Sequence, residues 1–251
     1  MRTWETAGWV AGLHPFSESD WVATLYTEAR GKVQAIAKGA RRSHRRFGGR
    51  LDLLNRCLFR LVEKETTSLL RIEEADLLAS YQGMKGDLDR LLGGMQMLET
   101  ACLLAPEGES QQAVSAVLEE GFSRIEDGTL PLDRVPGALM KIVSLEGYHP
   151  EFGHCLDCGR VPRREDRPWG LIAARGGVRC PSCGIDGESV APADLLFFAA
   201  CGAGRGEGAG HSLAELSGLP PPTPGAIDVV QKYVRALAGK EIRSAGLRWT
   251  G

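Results

Sequence analysis

At 251 residues, with 43% apolar and 25% charged side chains, the chain is long enough for one or two buried cores and has a soluble protein's composition. The longest strongly apolar run, Leu195 to Cys201, is seven residues, which excludes a membrane helix of ~18 or more. The formal net charge of −2 averages three unlike stretches: residues 1–79 sum to +3, 80–152 to −7 and 153–251 to +2, a sign of separate binding surfaces.

The chain opens with Trp4, Glu5 and Trp9 where a signal peptide would carry a basic start and an apolar stretch. A cytoplasmic, thiol-reducing location is therefore expected. The first ~78 residues read as β-rich, because short runs of β-branched, aromatic and small residues alternate with polar ones. Trp21–Tyr26 is followed by a turn at Glu28–Gly31 and by Lys32–Lys38. In that second run Val33, Ala35 and Ala37 alternate with Lys32, Gln34 and Lys38, so the basic side chains share one strand face. Cys57–Val62 and Ser68–Ile72 are the next candidates. Short strands around a long basic loop suit a small barrel, with an OB-fold as one possibility.

From about Asp76 the period changes. Leu77, Leu78, Tyr81, Met84, Leu88, Leu91, Leu92 and Met95 recur at three- and four-residue spacing, which predicts a helix. Further helices are predicted over Glu109–Arg124, Leu132–Gly147, Pro192–Ala200 and Pro224–Ala238. Gly202–Gly210 and Pro220–Pro222 read as exposed connections. The fold class expected is α+β: a β-barrel domain over 1–78, then a helical domain over 79–251 carrying a four-cysteine module at 153–187.

That module rests on Cys155-x2-Cys158 and Cys180-x2-Cys183, with 21 residues between the pairs. Four thiolates at this spacing close a tetrahedral site and leave no open position, so one structural zinc ion per chain is expected. Gly159 and Gly184 follow the two pairs, where a tight knuckle turn favours glycine. A redox reading lacks the strand–helix setting of a thioredoxin-like motif, and a zinc-deaminase reading lacks its H-x-E partner. Cys57, Cys102 and Cys201 sit in apolar surroundings and read as core residues, and His154 is a poorer ligand than the four thiols.

The second feature is an acid-free basic segment holding Arg30, Lys32, Lys38, Arg41, Arg42, Arg45, Arg46 and Arg50. Arginines grip phosphates with two donors, glycines admit a close backbone, and Phe47 is placed to stack on a base. These are the candidate nucleic-acid-binding residues, and they are DNA-binding on the resemblance described below. An RNA-binding zinc-ribbon protein of the ribosome or of transcription is the competing reading of the same strip and zinc. An enzyme is not expected: no Ser/His/Asp set, carboxylate pair or phosphate-cradling loop stands out.

Pro15-Phe16-Ser17-Glu18-Ser19-Asp20, Thr24–Thr27, Arg30-Gly31-Lys32, Ala37–Arg42, the cysteine knuckles and the closing Lys240–Ser244 run in an order that resembles the RecO family. That family comprises bacterial recombination mediators and DNA-annealing proteins. The resemblance covers most of the chain, and its most specific piece is Lys38-Gly39-Ala40-Arg41. It implies an N-terminal OB-fold, a helical domain with the zinc module and no covalent catalysis. The implied partners are single- and double-stranded DNA, the ring-forming RecR and the acidic C-terminal tail of single-strand-binding protein. It further implies loading of RecA onto protein-coated strands and a bacterial, nucleoid-associated location. Arg235, Lys240 and Arg243 are the candidate tail-binding residues.

Overall fold

Side chains of the N-terminal strands alternate between two apolar environments, and that division positions the rest of the chain. The computed structural model describes residues 2–42, 47–64, 67–106, 108–202, 212–240 and 244. Five strands come first: β1 (Arg2–Pro15), β2 (Trp21–Thr27), β3 (Gly31–Ala37), β4 (Arg56–Lys64) and β5 (Thr67–Ala79). They pair in the order β1-β2-β3-β5-β4, and β4 pairs again with β1 to close a barrel. β1 closes it by serving two neighbours, β4 along Arg2–Trp9 and β2 along Gly8–Pro15, with a register shift between Val10 and Gly12. All pairs are antiparallel except β3 with β5, which run parallel at Ala35–Leu70 and Ile36–Arg71. This is an OB-fold.

Val10, Leu25, Ala35, Phe59, Leu61 and Ile72 fill the barrel interior. One residue along, Trp9 and Tyr26 point to the outer face and are equally buried, because the helical part covers them. That part consists of α1 (Gln82–Lys85), α2 (Leu88–Leu104), α3 (Gln112–Glu126), α4 (Val135–Leu145), α5 (Pro192–Gly202) and α6 (Ala226–Ala238). Asp87 starts α2 by accepting a 3.0 Å bond from the Arg90 N–H, a cap contributing roughly 1 kcal/mol.

At the joint, the Trp9 ring meets Phe122 of α3 edge-on at 6.1 Å, and Phe122 meets Tyr81 at 5.3 Å. Arg56 spans the same joint, bonding Glu28 at 3.0 Å and Glu119 of α3 while lying 5.3 Å over the Trp9 ring. The Tyr26 hydroxyl donates to Gln111 Oε1 at 3.3 Å.

Between α4 and α5 the chain forms a small sheet from β6 (Glu151–Cys155), β7 (Trp169–Ile172), β8 (Gly177–Arg179) and β9 (Glu188–Val190), ordered β6-β8-β7-β9. Phe152 stacks on Phe198 of α5 at 5.1 Å, and Tyr233 of α6 donates to the Tyr148 carbonyl at 2.7 Å. These contacts dock the lobe on the helices.

Two expectations need correction. Leu77 and Leu78 are not the start of a helix but the end of β5, where Cys57 pairs with Leu77 and Arg56 with Ala79. Both leucines are exposed, so their spacing from Tyr81 carried no information about a shared face. The helical stripe itself begins at Gln82 and is interrupted between Lys85 and Leu88. β1, which has no strand assigned in the sequence reading, is the longest strand among the described residues at 14.

Candidate nucleic-acid interface and four-cysteine centre

The basic segment divides into two groups at opposite ends of β3. At one end Arg30 pairs with Glu63 at 3.1 Å and lies 4.5 Å over the Trp4 ring, so its charge is committed to the barrel wall. Lys32 is exposed on the face that carries Tyr26, toward α2. At the other end Lys38, Arg41 and Arg42 are exposed together on one turn.

That turn is held by the loop between β1 and β2. The Gly39 N–H donates to Asp20 Oδ1 at 2.8 Å, and the Arg41 N–H donates to the Ser19 carbonyl at 3.0 Å. Arg41 Nη1 donates to the Ser17 carbonyl at 2.9 Å, and Arg42 pairs with Glu18 at 3.1 Å on the open surface. Ser17 Oγ accepts from the Ser19 and Asp20 N–H groups, which folds the loop on itself. The Asp20 carboxyl is held below its ordinary range, first by the Gly39 N–H and then by the Ser19 hydroxyl. Two of the segments that carried the resemblance, Pro15–Asp20 and Ala37–Arg42, are therefore structural partners.

Phe47 does not offer a stacking face. It is 3% exposed and packs into the barrel core with Ala40 and Leu51. The chain after the basic loop folds back over the barrel end, and an apolar ring there gains more by burial than by exposure. Arg50 is half-buried near Cys57, with its carbonyl accepting from Asn55 Nδ2 at 2.9 Å. Arg45 and Arg46 lie outside the described residues. Phe16, part of the resemblance but not among the candidate contacts, is 64% exposed beside Ser17. Its signal was an aromatic side chain inside a run of small polar residues.

The four cysteines come together from both knuckles. Their sulfurs all lie within 4.8 Å of one another, with Cys158 and Cys180 Sγ at 3.7 Å. A tetrahedral ion with metal–sulfur bonds of ~2.3 Å has an edge of about 3.8 Å, so the donor set fits such an ion. Gly159 and Gly184 both adopt positive φ, 72° and 102°, which lets each knuckle double back at no side-chain cost. The Gly159 N–H donates to the Cys155 carbonyl at 2.9 Å, and the Cys180 N–H points at Cys155 Sγ at 3.3 Å.

Burial works against ionising Cys155, but the N–H groups of Cys180, Asp157 and Cys158 outweigh it and bring its thiol down to about 6. Hydrogen bonds to Cys158 and Cys180 push Cys183 up to about 12. The backbone thus favours the thiolate of Cys155, the form in which sulfur ligates a metal. Arg179 braces the knuckles through Asp157 and Asp186, both at 2.5 Å, and through the Cys183 carbonyl at 2.6 Å.

The remaining cysteines are core residues. Burial pushes Cys57, Cys102 and Cys201 each up to about 12, which leaves them protonated. His154 stays outside the cluster, 3.4 Å from Glu151. Arg235 lies exposed in the last turn of α6, Lys240 is exposed just beyond it, and Arg243 falls outside the described residues. No helix among the described residues is long and apolar enough to cross a membrane.

A closed OB barrel fused to helices, with four thiols converging in a small appended sheet, defines a barrel-and-knuckle protein whose fold class is common among nucleic-acid binders. The description Recombination protein O N terminal matches residues 1–81, and Recombination protein O C terminal matches residues 85–240. DNA repair protein RecO of a Nocardioides species is 33% identical over 199 residues, 78% of this chain and 80% of that protein. Its counterpart in Geobacter metallireducens is 32% identical over 203 residues, 80% and 81% of the two chains. That of Myxococcus xanthus is 31% identical over 198 residues, 78% and 80%. The chain belongs to the RecO family of DNA repair proteins.

Proposed function

We propose that the protein is a recombination mediator that binds single- and double-stranded DNA, anneals complementary strands and helps load RecA on protein-coated single strands. The observation that carries this reading is the exposed turn of Lys38, Arg41 and Arg42, pinned by Asp20 to the loop between β1 and β2. Annealing requires two polyanions to approach, and cations held in a fixed array lower that barrier without any bond being made or broken. Arg45 and Arg46 extend the array in sequence, Lys32 supplies a second contact further along β3, and Arg50 and Arg30 contribute through their fields.

In this reading residues 1–78 carry the DNA contact, and residues 79–251 carry the zinc module at 153–187 and the partner contacts. Zinc, one ion per chain, is the cation proposed for the thiols, since soft sulfur donors without an open position favour it. RecR and the acidic tail of single-strand-binding protein are the proposed protein partners, with Arg235, Lys240 and Arg243 offered to the tail. The protein would act in the bacterial cytoplasm at the nucleoid.

The test is fluorescence-monitored annealing of complementary oligonucleotides, each coated with the cognate single-strand-binding protein. Acceleration that fades as salt rises supports the reading. A folded, metal-loaded protein that leaves the rate unchanged sinks it.

A further inference from the structure

We propose that the cleft at the mouth of the barrel is a seat for one unpaired DNA base, held against Trp21. The inference rests on the DNA-binding reading above and adds to it a place and a ligand. The cleft has a volume of about 260 Å³. That is below the ~300–1,000 Å³ of pockets for drug-sized ligands. Trp21, the first residue of β2, lines it together with the buried Phe47, Leu51 and the side-chain-free Gly48 and Gly49.

Charge and shape complementarity select the occupant. Arg41 lines the same cleft, its guanidinium 5.4 Å from the centroid of the Trp21 ring. A flat, delocalised group already resting on the indole face marks the position that a stacked base would take. The displaced guanidinium, with Arg42 and Lys38 on the same turn, then meets the phosphates on either side of that base. An apolar ligand would fill the cleft but find no use for Arg41 in its wall or for Lys38 and Arg42 on the same turn. A duplex keeps its bases stacked inside and cannot present one to Trp21. The lining side chains carry no hydrogen-bond acceptor, so the base is held by stacking and not through an acceptor on the protein.

The experiment measures binding of the full-length protein to three labelled ligands at low salt. These are a single-stranded oligonucleotide, the same backbone with every base removed, and a blunt duplex. Stacking of one base predicts that the wild type prefers the intact strand to the abasic one on the order of tenfold. Trp21→Ala should abolish that preference and leave duplex affinity within about twofold, while Trp21→Phe, which keeps an aromatic plane, retains most of it. Should the alanine variant fold poorly, Trp21→Leu fills the barrel mouth without a ring, and the same loss is expected. A Trp21→Leu or Trp21→Ala protein that still distinguishes the two strands overturns the seat. So does a wild type that binds all three ligands with no base preference. A wild type that binds none of them overturns the DNA-binding reading as well.

Discussion

The barrel strands run for seven to 14 residues and close on themselves, whereas the strands of the cysteine lobe run for three to five and close on nothing. The barrel has an interior of its own, with Val10, Phe59 and Ile72 touching only barrel neighbours in their cluster. The lobe has none. Phe152, Trp169 and Val178 belong to the same core as the helices, and the knuckle loops depend on four convergent thiols. A loop on a closed barrel is held by the sheet beneath it. A loop on a three-residue strand needs a cross-link, and here the sulfurs offer one to a metal.

Removing the cross-link is the harshest way to separate the two regions. Structural zinc contributes ~10–16 kcal/mol of apparent binding energy in small metal-organised domains. Cys155→Ser, or exhaustive chelation, should therefore unfold the lobe, seen as rapid proteolysis within residues 156–187, while the barrel stays protected. Simultaneous loss of both would show that the barrel is not independent.

Trp9→Ala attacks the joint. It removes a fully buried ring that belongs to the shared core, and a loss of ~3–5 kcal/mol in denaturant titration is expected. Arg56→Ala should cost less, about 1–2 kcal/mol, because its partners Glu28 and Glu119 are partly exposed and regain water. A double-mutant cycle with Glu28→Ala should show the two losses to be non-additive. The smallest change in stability, within roughly 0.5 kcal/mol, is expected for Lys38, Arg41 and Arg42 replaced together by alanine. That variant should nonetheless lose DNA affinity, which would place function on the part of the fold that stability least needs.

Much of this arrangement was legible in the sequence, and the misses have physical causes. β3 was visible because part of one face is wet, so Lys32 and Gln34 alternate with Val33 and Ala35, while β2 showed through its β-branched and aromatic residues. β1 hid because helices cover its outer face at the joint: Gly8, Trp9 and Val10 are buried in succession, and no alternation survives. The cysteine spacing predicted the four-thiol cluster, since the chemistry of four thiols hardly depends on the surrounding fold. The basic strip was harder. Charge density could not show that Arg30 is committed to Glu63, nor that Phe47 turns inward where the chain folds back over the barrel end. Phe16 and Trp21 became visible only once Ser17 and Asp20 were seen to hold the Lys38–Arg42 turn beside them.

The proposed function has DNA held through charge on this one turn of the barrel. Its most direct test is the affinity for a single strand across a range of salt, for the wild type and for the Lys38/Arg41/Arg42→Ala variant. Each lost phosphate contact should flatten the log–log slope by ~0.7, so three should flatten it by about 2. A variant that is weaker at low salt and flatter by that amount fits the claim. An unchanged slope in a folded variant would contradict it and move the interface elsewhere on the molecule.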